Sequence, residues 1–190
     1  MNNLKANLVL DAKGLACPMP IVKTKKTMND LQPGEVLEVM ATDKGSLADL
    51  KAWSEKTGHQ YIGTVEKNDV LHHFIRKSTG EEKVEKTFET VISNEKLLDV
   101  LDQDDSNVVL DVREHAEYAF AHIPGAISIP FGELESRINE LSKEQPIYVV
   151  CRTGNRSDMA AQKLVASGFT NVTNVVPGMS NWSGSTKSEL

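Results

Sequence analysis

Two cysteines stand in a chain of 190 residues, and one of them sits where chemistry is done. Cys151 follows the apolar run PIYVV (146–150) and opens the stretch CRTGNRS (151–157), ahead of the helical pattern DMAAQKLVASG. In an open parallel sheet, ligands bind beyond the carboxyl ends of the strands, and this thiol lies at such an end. Residues 152–156 can wrap around a point with their backbone N–H groups turned inward, beside a helix expected to begin near Ser157. Such a nest binds anions and stabilises a thiolate. Arg152 and Arg156 add positive potential, and Gly154 gives the backbone the freedom for a tight cradle. The thiolate is the nucleophile, so a reactive cysteine is the reading that these neighbours favour over a buried structural one.

The other cysteine, Cys17, lies in LACPMP (15–20). Proline suits the first position of a helix, because that N–H has no intrahelical partner. With Pro18 there, the free N–H groups of the first turn and the helix dipole are expected to lower the Cys17 pKa. Lys23, Lys25 and Lys26 further along form a cationic face, which is more simply a solvated face than a receptor for an acidic partner. A structural Cys17–Cys151 disulfide is disfavoured in a reducing compartment, while a transient disulfide or shared persulfide stays open. Two isolated cysteines lack the paired spacing of zinc sites, so no metal is expected. His72 and His73 are neighbours on a strand and point to opposite faces. His122 is expected to fix a loop, and Met19, Trp53 and Trp182 to fill cores.

The elements that must position these residues differ between the halves. NLVLDA, EVLEVMA, HQYIGTVEK and VLHHFIRK read as strands, the last two flanking Asn68-Asp69 as a hairpin. PMPIVKTKKTMNDL and SLADLKAWSEKTG read as helices, with Gly58 as a stop. The order β-α-β-α-β-β is satisfied by a two-layer sandwich with both helices on one sheet face. After the charged, aperiodic STGEEKVEK come the short apolar strands NVVLDV, AISI, PIYVVC and VTNVV. The helical patterns SNEKLLDVLDQ, EHAEYAFA, FGELESRINELS and DMAAQKLVASG accompany them. Continuous Val/Ile runs alternating with helices indicate a parallel sheet covered on both faces. The fold class is thus α/β twice over. The expected limits are a first domain at 1–77, a linker at 78–87, a second domain at 88–182 and a disordered tail at 183–190.

The formal net charge of −6 and the pI near 5.4 argue against nucleic acid as a direct partner. Residues 1–80 carry 11 Lys/Arg against 9 Asp/Glu (+2), and residues 81–190 carry 10 against 18 (−8). No apolar run approaches the roughly 20 residues of a membrane helix. The polar N-terminus does not read as a signal peptide, so a cytoplasmic setting is expected.

VVLDVREHAEYAFAHIPGAISIP, VVCRTGNRS and VVPGMSNW together resemble the rhodanese family over about residues 88–182. The resemblance implies that Cys151 carries a sulfane sulfur as a persulfide. It makes Arg152, Thr153, Gly154, Asn155 and Arg156 the cradle, and Asp111 and Arg113 the D-x-R pair at the strand end lining the site. Ala121 replaces the glycine of the family's G-H-I-P-G-A. The spacing Cys151 to Arg156 is C-x4-R, one residue shorter than the C-x5-R loop of cysteine phosphatases. The shorter loop suits a terminal sulfur, which makes phosphatase or arsenate reductase the weaker reading.

LDAKGLACPMPIVKTKK and ATDKGSLADLKAW, with Asp43 and Ser46 at matching positions, resemble the TusA/SirA sulfur carriers over about residues 6–77. That resemblance implies a Cys17 that accepts sulfur as a persulfide and passes it on. The combined expectation is a sulfurtransferase without cofactor, catalysed by Cys151 and relayed through Cys17. It would take thiosulfate or low-molecular-weight persulfides as donors, with acceptor thiols and sulfur-relay proteins as partners. The alternative is a low-turnover sulfur-trafficking or sensing module that binds partner proteins.

Overall fold

A computed structural model describes residues 4–80, 85–104 and 106–190. The chain divides after Gly80 into two compact units.

In the first unit β1 (Leu8–Asp11), α1 (Met19–Met28), β2 (Val36–Ala41), α2 (Ser46–Thr57), β3 (Gln60–Lys67) and β4 (Val70–Arg76) follow the expected order. The sheet runs β1-β2-β4-β3, with β1 parallel to β2 and the other pairings antiparallel. Asn68 and Asp69 turn the β3–β4 hairpin at φ 50° and 61°, a left-handed pair that Asn and Asp tolerate. Gly58 ends α2 in the left-handed conformation at φ 78°. Leu37, Val39 and Ile75 face Met28, Leu31 and Leu50 in a core closed by the two helices, with Trp53 packed against it. Met19 departs from the expected core role. It is 44% exposed, because the helix turns its Thr24 and Met28 side inward instead.

The second unit holds β5 (Val91–Ser93), α3 (Asn94–Gln103), β6 (Val108–Asp111), α4 (His115–Phe120), β7 (Ile127–Ser128), α5 (Leu134–Arg137), β8 (Ile147–Val150), α6 (Asn155–Ala166) and β9 (Val172–Val176). All five strands are parallel, in the order β5-β9-β8-β6-β7. One face of the sheet packs Leu110, Ile147 and Val149 against Leu134 of α5 and Leu164 of α6. The other packs Val109, Val150 and Val175 against Leu97 of α3 and Tyr118 of α4. This is an α/β architecture, a parallel sheet with helices on both faces.

Three local expectations differ. The helix over 131–142 is broken into one α-turn between two 3-10 turns, with Pro130 and Gly132 tightening its start. The tail at 183–190 is not loose: Lys187 and His122 exchange backbone hydrogen bonds at 2.9 Å, and Glu189 N–H donates to Ala119 O at 2.9 Å. The Trp182 indole N–H also donates to Ser185 O at 3.1 Å. A backbone ladder satisfies this polar segment where side-chain hydrophobicity cannot. Of the linker expected at 78–87, residues 81–84 lie outside the described residues. Ser78 N–H donates to the His59 ring of the first unit at 3.1 Å, and Thr87 N–H to Asp158 of the second at 3.3 Å.

Candidate functional site

Cys151 directly follows β8 and lies only 1% exposed. Two donors are aimed at its sulfur: Gly154 N–H at 3.1 Å and the Ser157 hydroxyl at 3.3 Å. Gly154 is the N-cap of α6 at φ 91°, so the helix begins at Asn155, two residues earlier than expected. A Cβ at Gly154 would come within 2.9 Å of Val176 Cγ1, so both conformation and space require glycine here. The Asn174 amide fixes the loop from β9 by donating to Gly154 O at 3.2 Å.

Residues after β9 hold the cradle from beyond the strand end. Met179 N–H donates to Cys151 O at 2.8 Å, and Ser180 N–H to Arg152 O at 2.9 Å. Gly178 makes this approach possible, since a Cβ there would stand 2.4 Å from Cys151 O. The Asn94 amide exchanges hydrogen bonds with Gly178 at 2.9 and 3.2 Å. The spacing of VVPGMSNW is therefore the spacing of a backbone clamp on Cys151.

The arginines are deployed differently from the expectation that they face a substrate. Arg156 is 6% exposed and forms a two-pronged pair with Glu117, at 2.7 and 3.0 Å. Burial opposes its charge, but Glu117 outweighs that penalty and holds the guanidinium pKa above its ordinary value. Arg113 grips Asp111 at 2.6–3.1 Å and donates to Ala121 O at 2.7 Å. Asp111 and Arg113 thus brace the loop after β6. His122 stacks on Tyr118 at 3.8 Å, and its Nδ1–H donates to Tyr118 O at 2.9 Å, as a loop-fixing residue would. Arg152, Thr153 and Asn155 are half-buried around the rim.

Cys17 is exposed, two residues ahead of α1. Pro18 is the N-cap, and Pro20 removes a second N–H from the first turn. Met19 N–H is taken by Ala16 O at 3.0 Å. The helix start therefore offers this thiol little, and α2 supplies its neighbours. The Cys17 thiol donates to Asp49 Oδ2 at 3.0 Å, and Cys17 N–H to Asp43 Oδ2 at 3.3 Å. The hydrogen bond to Asp49 pushes the Cys17 pKa up, with desolvation and the charges of Asp49 and Asp43 acting in the same direction. This overturns the expectation of a lowered pKa: two carboxylates outweigh a helix start stripped of its donors.

Ser46 Oγ–H donates to Asp43 O at 2.6 Å, and the same hydroxyl meets His73 Nε2 at 3.0 Å. His73 is fully buried, with Nδ1 2.8 Å from both Tyr61 and Thr64 hydroxyls. His72 points to the other face and pairs with Glu38 at 2.6 Å. Among the described residues, no group of three or more His, Cys, Asp or Glu side chains is placed to hold a metal ion, and no helix is long and apolar enough to cross a membrane. Neither cysteine is in a disulfide.

Residues 8–77 match the family described as Sulfurtransferase TusA, and residues 93–185 match the rhodanese-like domain. YrkF of Bacillus subtilis is 53% identical over 184 residues, covering 97% of this chain and 100% of YrkF. The chain belongs to the TusA family and carries a C-terminal rhodanese-like domain. Sulfur carrier protein TusA of Allochromatium vinosum is 45% identical over 69 residues, 36% of this chain and 91% of that protein. A crystal structure of a rhodanese-like domain protein from Staphylococcus aureus superposes with a TM-score of 0.51 at 28% identity, over 54% of this chain and all of that one. Sulfur transfer is the chemistry common to both domains.

Ser157, Glu117, Asn94 and Gly178 in the rhodanese-like unit, and Asp49 in the TusA unit, complete the two sites without having been singled out from sequence. Ser157 had the most direct signal, since it ends the CRTGNRS stretch, while Glu117, Gly178 and Asp49 fall inside family motifs that do not show their partners. The others act across distances of tens of residues that no local pattern reveals.

Proposed function

We propose that the protein moves sulfane sulfur through a persulfide on Cys151 and relays it through Cys17 to an acceptor thiol or protein. Cys151 attacks the outer sulfur of thiosulfate or of a small persulfide. The donor's sulfur–sulfur bond breaks, and sulfite or a thiol leaves. Cys17 then attacks the outer sulfur of the Cys151 persulfide, and Cys151 departs as a thiolate. The observation that carries this reading is the convergence of Gly154 N–H and Ser157 O–H on a single sulfur at a strand end. Such donors stabilise a sulfur anion without a metal or cofactor. The test is thiosulfate-to-cyanide sulfur transfer. Cys151→Ser should abolish it, because a hydroxyl cannot hold sulfane sulfur. Cys17→Ser should keep most of it, since cyanide can attack the Cys151 persulfide directly. Comparable losses in both variants would refute the assignment.

The pairing of Arg156 with Glu117 and of Arg113 with Asp111 favours a second reading in one respect. It spends two cations inside the fold, which weakens the case for a doubly anionic donor. A low-turnover trafficking module fed by persulfides would show poor activity with thiosulfate yet rapid loading of Cys151 by a small persulfide.

A further inference from the structure

The first unit holds a carboxylate whose place at the carrier cysteine has a consequence for sulfur release. Asp49 projects from the first turn of α2 onto the Cys17 sulfur at 3.0 Å. It is held there by construction. Ser46, in the same turn, is tied to Asp43 O at 2.6 Å and to the buried His73 at 3.0 Å. Asp43 in turn accepts Gly45 N–H at 3.1 Å and Cys17 N–H at 3.3 Å. The charges of Asp49 and Asp43 act on the thiol in the same direction as the Asp49 hydrogen bond.

We propose that Asp49 is a positioning residue for the carrier thiol: it holds empty Cys17 as a hydrogen-bonded thiol and repels the loaded persulfide, so that sulfur is directed outward and released. This rests on the reading of Cys17 as a sulfur carrier. In the empty state, Cys17 S–H has a proton to donate, and Asp49 accepts it. Loading forms a bond from Cys17 Sγ to the donor's outer sulfur and breaks the donor's sulfur–sulfur bond. The donor leaves as a thiolate and takes up the proton that Cys17 gives away. The inner sulfur then has no hydrogen to donate. The terminal sulfur of a hydropersulfide ionises more readily than a thiol, so the loaded state presents an anion to a fixed carboxylate. Like charges at this range repel, and the exposed setting of Cys17 leaves the terminal sulfur free to turn toward solvent. The same carboxylate keeps the empty thiol protonated, which protects an exposed cysteine from indiscriminate electrophiles.

The test uses the full chain in a Cys151→Ala background, where Cys17 is the remaining cysteine, with Asp49→Asn and Asp49→Glu compared. Alkylation by iodoacetamide is followed against pH. Cys17 is converted to its mixed trisulfide with a small organic trisulfide, one equivalent of a small thiol cleaves the outer sulfur–sulfur bond to leave the persulfide and a disulfide, and the persulfide is partitioned against glutathione and read by intact mass. Asp49→Asn should move the alkylation profile to lower pH and speed the reaction at neutral pH by roughly three- to fivefold, the scale of one charge at contact distance in water. It should also slow sulfur release and raise the share of sulfur kept on Cys17 by a similar factor, while Asp49→Glu restores both. An unchanged alkylation profile in Asp49→Asn overturns the proposal, and so does a shifted profile with unaltered sulfur partition. In the parent chain with both cysteines, failure of Cys17 to take sulfur from the Cys151 persulfide would instead refute the carrier reading, and the chemically loaded Cys151→Ala arm would still decide the role of Asp49.

Discussion

Ser157 O–H reaches the Cys151 sulfur at 3.3 Å from inside α6, and it is fully buried. Ser157→Ala removes one of the donors to that sulfur and leaves no large void. A neutral hydrogen bond is worth about 1 kcal/mol, so kcat/KM for sulfur transfer should fall about fivefold with little change in Tm. Glu117 should behave in the opposite way. Glu117→Ala strips Arg156, 6% exposed, of its two short hydrogen bonds and leaves it the longer contact to Glu114 at 3.9 Å, a change that costs about 3 kcal/mol of stability. Thermal unfolding should show this loss even where residual activity in the folded fraction is normal. The contrast is physical. Ser157 could be read from CRTGNRS because its partner is six residues away and one helical turn closes the distance. Glu117 lies 39 residues from Arg156 and meets it only when the fold brings the starts of α4 and α6 to one end of the sheet. Sequence alone therefore makes Arg156 a loop cation, and the fold makes it a brace.

At the level of elements, the turn after β9 is the part of the site with least tolerance. Gly178 adopts φ 90° with Cys151 O at 2.4 Å from where a Cβ would stand. Gly178→Ala should destabilise the second unit by ~2–3 kcal/mol and displace the cradle, lowering both Tm and sulfur transfer. In the first unit, the α2–β4 contact makes a pH prediction. Burial, with His72 adding to it, lowers the His73 pKa to about 4. Between about pH 6.5 and 4 the unfolded chain binds a proton that the folded one refuses. Stability from this group is thus complete above pH 6.5 and lost as pH falls through 4, by roughly 3 kcal/mol. Urea unfolding followed by Trp53 fluorescence, in a Trp182→Phe background, should show that loss, and His73→Gln should remove much of it.

The long strands and helices were legible because their periodicity and stops were strong: the Asn68-Asp69 hairpin, Gly58, and the Val/Ile runs of β6, β8 and β9. The three-residue β5 was not, since Val91–Ser93 is too short for a pattern and sits at the sheet edge. The tail was not legible either, because its order comes from backbone bonds to Ala119 and His122 and not from apolar side chains. Cys17 shows the same limit at its site. CPMP locates the thiol before a helix, but Asp49 is 32 residues away and reverses the expected sign of the pKa shift.

At the scale of the whole molecule, two sulfur-handling domains share one chain, and a linker of the length expected at 78–87 would hold tethered partners at millimolar effective concentration. The net charges of +2 and −8 on residues 1–80 and 81–190 favour their encounter. If the relay runs through the chain, high salt should slow sulfur arrival at Cys17 more than loading of Cys151, because screening acts on the encounter and not on the cradle. The most direct measurement is to give the intact protein a limiting dose of thiosulfate or a small persulfide, digest it under conditions that preserve persulfides, and locate the sulfur by mass spectrometry. Sulfur should appear first on Cys151 and then on Cys17, and Cys17 should stay unloaded in Cys151→Ala. Equal loading of Cys17 in that variant would contradict the relay and show that each domain takes sulfur by itself.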